Sequence, residues 1–231
     1  MDLPVDSVDW KMQKRTRLIS ISVLIFAGLI YLFAWSPIFT VKSIDVVGQP
    51  PEISINSVIT RTGIFSGEKL ARIEPRSIEK KLSEISWVKS VSVDRHWANG
   101  SVEIKVVPRI AVGLYKGKAI DRQGEIFDLP GITPKGLPVV SAATPELGLS
   151  AISLFTNLSS DIRANLISLS ATNESSISSW QEWQGRTIKV MWGSTDQVDL
   201  KVSVLKALLA QPENKSISRV DLSAPHAPIV K

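Results

Sequence analysis

The stretch Leu18–Trp35, LISISVLIFAGLIYLFAW, runs for eighteen residues without a charged side chain. As an α-helix rising ~1.5 Å per residue it would span roughly 27 Å, close to the ~30 Å hydrocarbon core of a bilayer. In lipid every backbone amide must be satisfied within its own segment, so a helix is expected here. Two readings compete, a permanent anchor and a cleaved signal peptide. Lys11, Lys14, Arg15 and Arg17 ahead of the stretch suit both. Signal peptides carry an apolar run of about 7–15 residues followed by small side chains. This run ends in Leu32, Phe33, Ala34 and Trp35 before Ser36-Pro37, which favours the uncleaved anchor. Tyr31 and Trp35 read as aromatics at the outer interface, with the basic cluster on the cytoplasmic side. The anchor therefore runs from Leu18 to Trp35, and residues 1–17 form a cytoplasmic head.

Residues 36–231 make an outer portion of 196 residues, enough for one large domain or two small ones. The chain has 27 Lys plus Arg against 22 Asp plus Glu, and the head holds only four cations and three anions. The surplus is too thin and scattered for a nucleic-acid footprint, which needs clustering on one face. There is no cysteine, which excludes a thiol nucleophile, a disulfide framework and a Cys-ligated metal. About 200 residues can bury an adequate core without cross-links.

Val41–Val47 reads as a strand that ends at Gly48-Gln49-Pro50-Pro51. Ile55, Val58, Ile59 and Thr62 then share a helical face, with Gly63 placed to stop the helix. Pro75 opens a second helix bearing Ile78, Leu82 and Ile85. WVKSVSV (87–93) reads as a strand, and Asn99-Gly100 as the tip of a hairpin into SVEIKVV, where Val102, Ile104 and Val106 alternate with polar residues. Residues 38–108 thus read β-α-α-β-β, a three-stranded sheet with two helices on one face. Residues 109–223 follow as a β-rich domain with two helices. It opens as a meander (AVGLYK, KAIDR, EIFD), with Asp121 closing the turn Asp121-Arg122-Gln123-Gly124. Pro145–Leu158 and Val198–Ala210 are its helices, RTIKVMW (186–192) a strand with Ile188, Val190 and Trp192 on one face, and Ser216–Leu222 the last strand. Residues 224–231 are a Pro-rich flexible tail. The expected class is α+β with a single N-terminal transmembrane helix.

Chemistry is hard to find. His96 and His226 lack the spacing of metal ligands, so no metal or cofactor is expected. No GxSxG elbow, phosphate-cradling loop or dinucleotide fingerprint occurs, and no catalytic residue is assigned. Trp180 and Trp183 (WQEW) could stack on a glycan, though packing over a loop accounts for them better. What remains is the final strand. If it lies at a sheet edge, its unpaired amides and carbonyls can accept another chain as an added strand. If its outer edge is covered, it simply completes its own sheet.

The ordered set of parts resembles a family. After the basic head and anchor come SPIFTVKSIDVVG, then ISWVKSVSVDRHWANGSVEIKVVPRIAVGLY and AIDRQGEIFD, a helix containing Lys201, and the closing SISRVDLSAPHAPIV. This is similar to the bacterial cell-division proteins FtsQ and DivIB, the ending being most like actinobacterial members. The resemblance implies that residues 38–108 are a POTRA domain. It also implies a non-enzymatic scaffold of the divisome at the septal cell membrane, binding the bitopic proteins FtsB and FtsL and helping to regulate septal peptidoglycan synthesis. Capture of FtsB by β-addition to the terminal strand would fall on Ser216, Ile217, Ser218, Arg219, Val220, Asp221 and Leu222. No small-molecule substrate is implied. An alternative is a POTRA-bearing translocation or secretion component that receives unfolded clients, and a third reading is a wall-polymer enzyme.

Overall fold

Residues 6–35 and 39–231 are described by the computed structural model. A helix, α1, runs Asp6–Trp35, thirty residues. It begins well ahead of Leu18 because residues 6–17 contain neither proline nor glycine, and acidic residues suit a first helical turn. From Leu18 to Tyr31 the apolar side chains are exposed all round the helix, Leu24 at 71%. Among the described residues no helix is long and apolar enough to cross a membrane. The part of α1 whose side chains are described, 14–31, includes Lys14, Arg15 and Arg17. The expected transmembrane span is therefore not among the described elements. The side chain of Trp35, residues 1–5 of the head and residues 36–38, with the expected domain start, lie outside the described residues.

The remainder forms two compact units, one of residues up to Ile85 with Ser90–Val107, the other of Ser86–Lys89 with Pro108–Lys231. In the first, β1 (Ser43–Val47), α2 (Ile55–Thr62), a 3₁₀ turn (Leu70–Arg72), α3 (Pro75–Ser83), β2 (Val88–His96) and β3 (Ser101–Pro108) follow in order. The sheet order is β1-β3-β2, and β1 runs parallel to β3 with Ile44 beside Val102 and Val46 beside Ile104. The expected β-α-α-β-β order holds because the signals are local. Gly63 closes α2 in the left-handed region, its amide returning to the Thr60 carbonyl, Pro75 opens α3, and Asn99 Oδ1 accepts both the amide and the hydroxyl of Ser101 at the hairpin tip. Val58, Ile78, Leu82, Val93, Val102, Ile104 and Val106 are all buried.

The second unit is a nine-stranded mixed sheet. Its strands are β4 (Gly113–Tyr115), β5 (Lys118–Ile120), β6 (Ile126–Phe127), β7 (Val139–Ala142), β8 (Leu166–Ala171), β9 (Ile177–Trp183), β10 (Arg186–Gly193), β11 (Arg219–Asp221) and β12 (Ile229–Val230). They lie in the order β12-β11-β10-β9-β8-β7-β4-β5-β6. Three helices, α4 (Pro145–Asn157), α5 (Ser160–Ala164) and α6 (Val198–Ala210), pack with the sheet, where two were expected, because the five residues of α5 are too few to show a helical period. Ala151, Leu154, Ile162 and Leu205 join Val140, Leu169, Ile188, Val190, Trp192, Val220 and Leu222 in one core cluster. Asp121 closes its turn as expected. Its Oδ1 accepts the amides of Gln123 and Glu125 at 2.8 and 3.0 Å, and Arg109 Nη1 reaches Oδ2 at 2.7 Å.

Two sequence expectations need correction. Trp180 and Trp183 do not pack over a loop; they belong to β9, an interior strand of the sheet. The expected strand Ser216–Leu222 shrinks to Arg219–Asp221, because Pro212–Ser216 winds into a 3₁₀ turn below α6. Asn214 fixes that turn, donating to the Leu208 carbonyl at 2.8 Å and to Gln211 Oε1 at 3.0 Å.

Candidate partner-binding edge

The rim of the large sheet is built from its last two strands. β11 runs parallel to β10 with Val220 beside Val190. Lys189 donates its amide to the Ser218 carbonyl at 2.9 Å, and Leu222 donates to the Met191 carbonyl at 2.7 Å. Backbone groups alternate sides along a strand. The Ser218 carbonyl, the Val220 backbone and the Leu222 amide therefore face inward to β10, while the backbone groups of Arg219 and Asp221 face outward. Val220 and Leu222 also send their side chains into the core, both at 0% exposure.

The outward side of β11 is taken. Residues 224–231, expected to be a loose tail, make a turn in which Ala227 donates to the Ala224 carbonyl at 3.0 Å, then pair as β12 antiparallel to β11. Val230 stands opposite Val220 and Ile229 opposite Asp221. Arg219 and Lys231 exchange both backbone bonds, at 3.0 and 2.9 Å, and Ser218 donates to the same Lys231 carbonyl at 2.7 Å. The predicted partner strand is thus the second strand in, and β12 is the edge. By the same alternation, the amide and carbonyl of Val230 point away from β11 to the rim. Pro228 has no N–H, so Val230 supplies the donor there.

Arg219 and Asp221 lie on the face of β11 opposite the core. Arg219 Nη2 sits 2.6 Å from Met191 Sδ and 4.0 Å from Asp221 Oδ2. Burial raises the Asp221 pKa, but the Ser223 hydroxyl and amide outweigh it, with help from Arg219 and Lys231, and the carboxyl titrates below its usual range. Of the other residues named from sequence, Ser216 ends the 3₁₀ turn and Ile217 is buried in the core. The seven residues do come together, as the backing of the rim rather than the rim itself. Sequence reasoning missed Ile229 and Val230, whose only signal was two β-branched residues after a proline.

No catalytic constellation is assembled around the candidate residues. His96 Nε2 lies 3.4 Å from Glu103 Oε2, which also takes Lys105 at 3.1 Å, an ion group at the surface. Trp180 is 44% exposed, and one face of its ring carries the Lys189 ammonium, 5.6 Å from the centroid. Among the described residues no cluster of three His, Asp or Glu side chains could hold a metal.

A β-α-α-β-β unit followed by a mixed sheet that ends in a short paired strand defines a two-domain α+β protein. Residues 39–109 match the family model "POTRA domain, FtsQ-type", and residues 108–223 match "Cell division protein FtsQ/DivIB, C-terminal". The chain belongs to the FtsQ/DivIB family of cell-division proteins. It is 27% identical to the cell division protein FtsQ of Mycobacteroides abscessus, over 93% of this chain and 68% of the relative. It is 26% identical to FtsQ of Mycolicibacterium smegmatis, over 94% of this chain and 67% of that one. It is 31% identical to FtsQ of Corynebacterium glutamicum, over 52% and 55%. The family match stops at Ser223, so β12 lies beyond it.

Proposed function

We propose that this protein is a non-enzymatic scaffold of the divisome at the septal membrane. It captures FtsB-like and FtsL-like bitopic division proteins by strand addition at the β12 rim and so helps regulate septal peptidoglycan synthesis. The observation that carries this reading is the Val230 backbone, turned outward at the end of a nine-stranded sheet with β11 bonded behind it. An edge with a free amide and carbonyl accepts an extended segment through main-chain bonds, while the flanking side chains choose the partner. Ile229, 57% exposed, together with Arg219 and Asp221, flanks the rim.

Anchoring is part of the proposal. The uncharged segment from Leu18 to Trp35 is apolar on every side, the pattern of a helix meant for an apolar surround. The basic residues before it would keep the N-terminus cytoplasmic. Confinement to one membrane raises the effective concentration of single-span partners at the rim.

The test is Val230→Pro. It removes the outward donor without breaking a bond to β11, because Val220 and Val230 form the non-hydrogen-bonded pair. The variant is expected to keep its thermal midpoint and to lose co-purification of the FtsB-like partner. Val220→Pro strikes the inner ladder to β10 instead, leaving a buried carbonyl without its donor, and is expected to cost about 1–3 kcal/mol of fold stability. Undiminished partner capture and a normal mid-cell ring in a folded Val230→Pro protein would sink strand addition at β12.

A further inference from the structure

Among the apolar residues on the inner face of α6 stands one lysine. Lys201 is 2% exposed, next to the buried Val198, Val202 and Leu205. Its Nζ donates to the Ser194 carbonyl at 2.8 Å. Burial pushes the ammonium pKa down, and the charge of Asp196 opposes this. An apolar side chain of similar length would fill the same space without taking a charge out of water, a cost that one hydrogen bond only partly offsets. The ammonium is therefore best explained by what it grips.

It grips the loop between β10 and α6. At the last residue of β10, where that loop begins, Gly193 has a φ of +72°, and a Cβ placed there would lie 2.9 Å from Ser223 Cα and 3.0 Å from Ser223 Cβ. Only a glycine lets the loop seat this closely. Ser223 is where the chain leaves β11, its amide and hydroxyl both donating to Asp221 Oδ1 at 3.0 and 2.7 Å. From Ser223 the chain turns through residues 224–228 and delivers β12. The loop held by Lys201 thus packs against the root of the turn that aims the rim.

We infer that Lys201 is a positioning residue for the partner rim: by holding the Ser194 carbonyl it keeps Gly193 seated on Ser223, and so holds β12 in register on β11. This rests on the reading of β12 as the docking edge, and it assigns to the interior of α6 a part in partner capture. Two variants of the full chain test it from opposite directions. Lys201→Met keeps the aliphatic stem and drops the ammonium, releasing the loop. Gly193→Ala pushes the loop off Ser223 while leaving Lys201 intact. The readout is amide hydrogen exchange at Arg219 and Lys231, whose N–H groups join β11 to β12. In both variants exchange at these two amides is expected to be at least about tenfold faster, with the interior amides of Val140 and Leu169 unchanged. Capture of the FtsB-like partner is expected to fall in parallel. Wild-type exchange at Arg219 and Lys231 in either folded variant overturns the inference, leaving Lys201 a pin for its own loop. Should Lys201→Met not fold, Gly193→Ala decides the matter alone. Faster exchange with undiminished capture would instead overturn the docking role of the rim, and Val230→Pro would then bind its partner normally too.

Discussion

The two compact units bury their strands by different rules. In the first, letter pattern and burial agree: Val102, Ile104 and Val106 of β3 point inward in step, and Glu103 and Lys105 between them meet each other outside. In the second, β9 inverts the pattern. Its core side carries Ser179 and Gln181, 1% and 3% exposed, while Trp180 stands outside. The inversion is tolerated because the polar groups satisfy one another. Trp192 Nε1 donates to Ser179 Oγ at 2.9 Å, and Gln181 Nε2 donates to the same oxygen at 3.2 Å. A buried polar group costs little when its partners are supplied and much when they are not. The first unit is thus held by apolar alternation, and the second by apolar packing arranged around a small polar knot.

The largest break in that contrast is Trp192→Ala. It empties the place of a fully buried ring and leaves Ser179 and Gln181 without the indole, at an expected cost of about 3–5 kcal/mol. Chemical denaturation followed by amide exchange should lose protection in β8 to β10 while β1 to β3 keep theirs. Equal loss in both units would mean that they do not melt separately.

Ser179→Ala comes next. The packing volume barely changes, but two buried donors lose their acceptor, for about 1–3 kcal/mol. A midpoint within error of wild type would show that the polar knot contributes nothing to the second unit.

The smallest effect concerns Asp121. Its carboxyl is 3% exposed, and burial alone would raise its pKa, yet Arg109 and the amides of Glu125 and Gln123 hold it below the usual value. A folded pKa below the unfolded one gives stability that is present above the unfolded value of ~3.9 and lost as pH falls through the folded one. Denaturation midpoints measured from neutral pH downward should therefore drop on the acid side in the wild type. Asp121→Asn should flatten that part of the drop, and an unchanged acid limb would remove the Arg109–Asp121 pair from the stability of the second unit.

Much of the fold was legible because its signals are short-range. Pro75, Gly63 and Asn99-Gly100 punctuate the first unit, and the stripe Val198, Val202, Leu205 and Leu209 marks α6. The strand β9 was not legible, since ISSWQEW offers its tryptophan to solvent and its serine and glutamine to the core. Arg95 was equally silent. On the page it is a charge in a strand, and in the fold its Nη1 holds the carbonyls of Leu70 and Ile73 at 3.2 and 2.8 Å. For the candidate site, sequence marked the region of the final strands but not which one is outermost.

By itself the sequence determined the α+β class, the β-α-α-β-β order of the first unit, the two long helices of the second and the family, because hydrophobic period, turn residues and helix stops act within a few residues of where they are written. Only the tertiary structure decided that β12 covers β11, that the Val220 backbone turns inward to β10 and that Val230 turns out. Those facts depend on pairing between segments far apart in the chain, where a shift of one residue exchanges inside for outside. No local pattern records that choice. It is made when Leu222 meets Met191 and Lys231 meets Arg219.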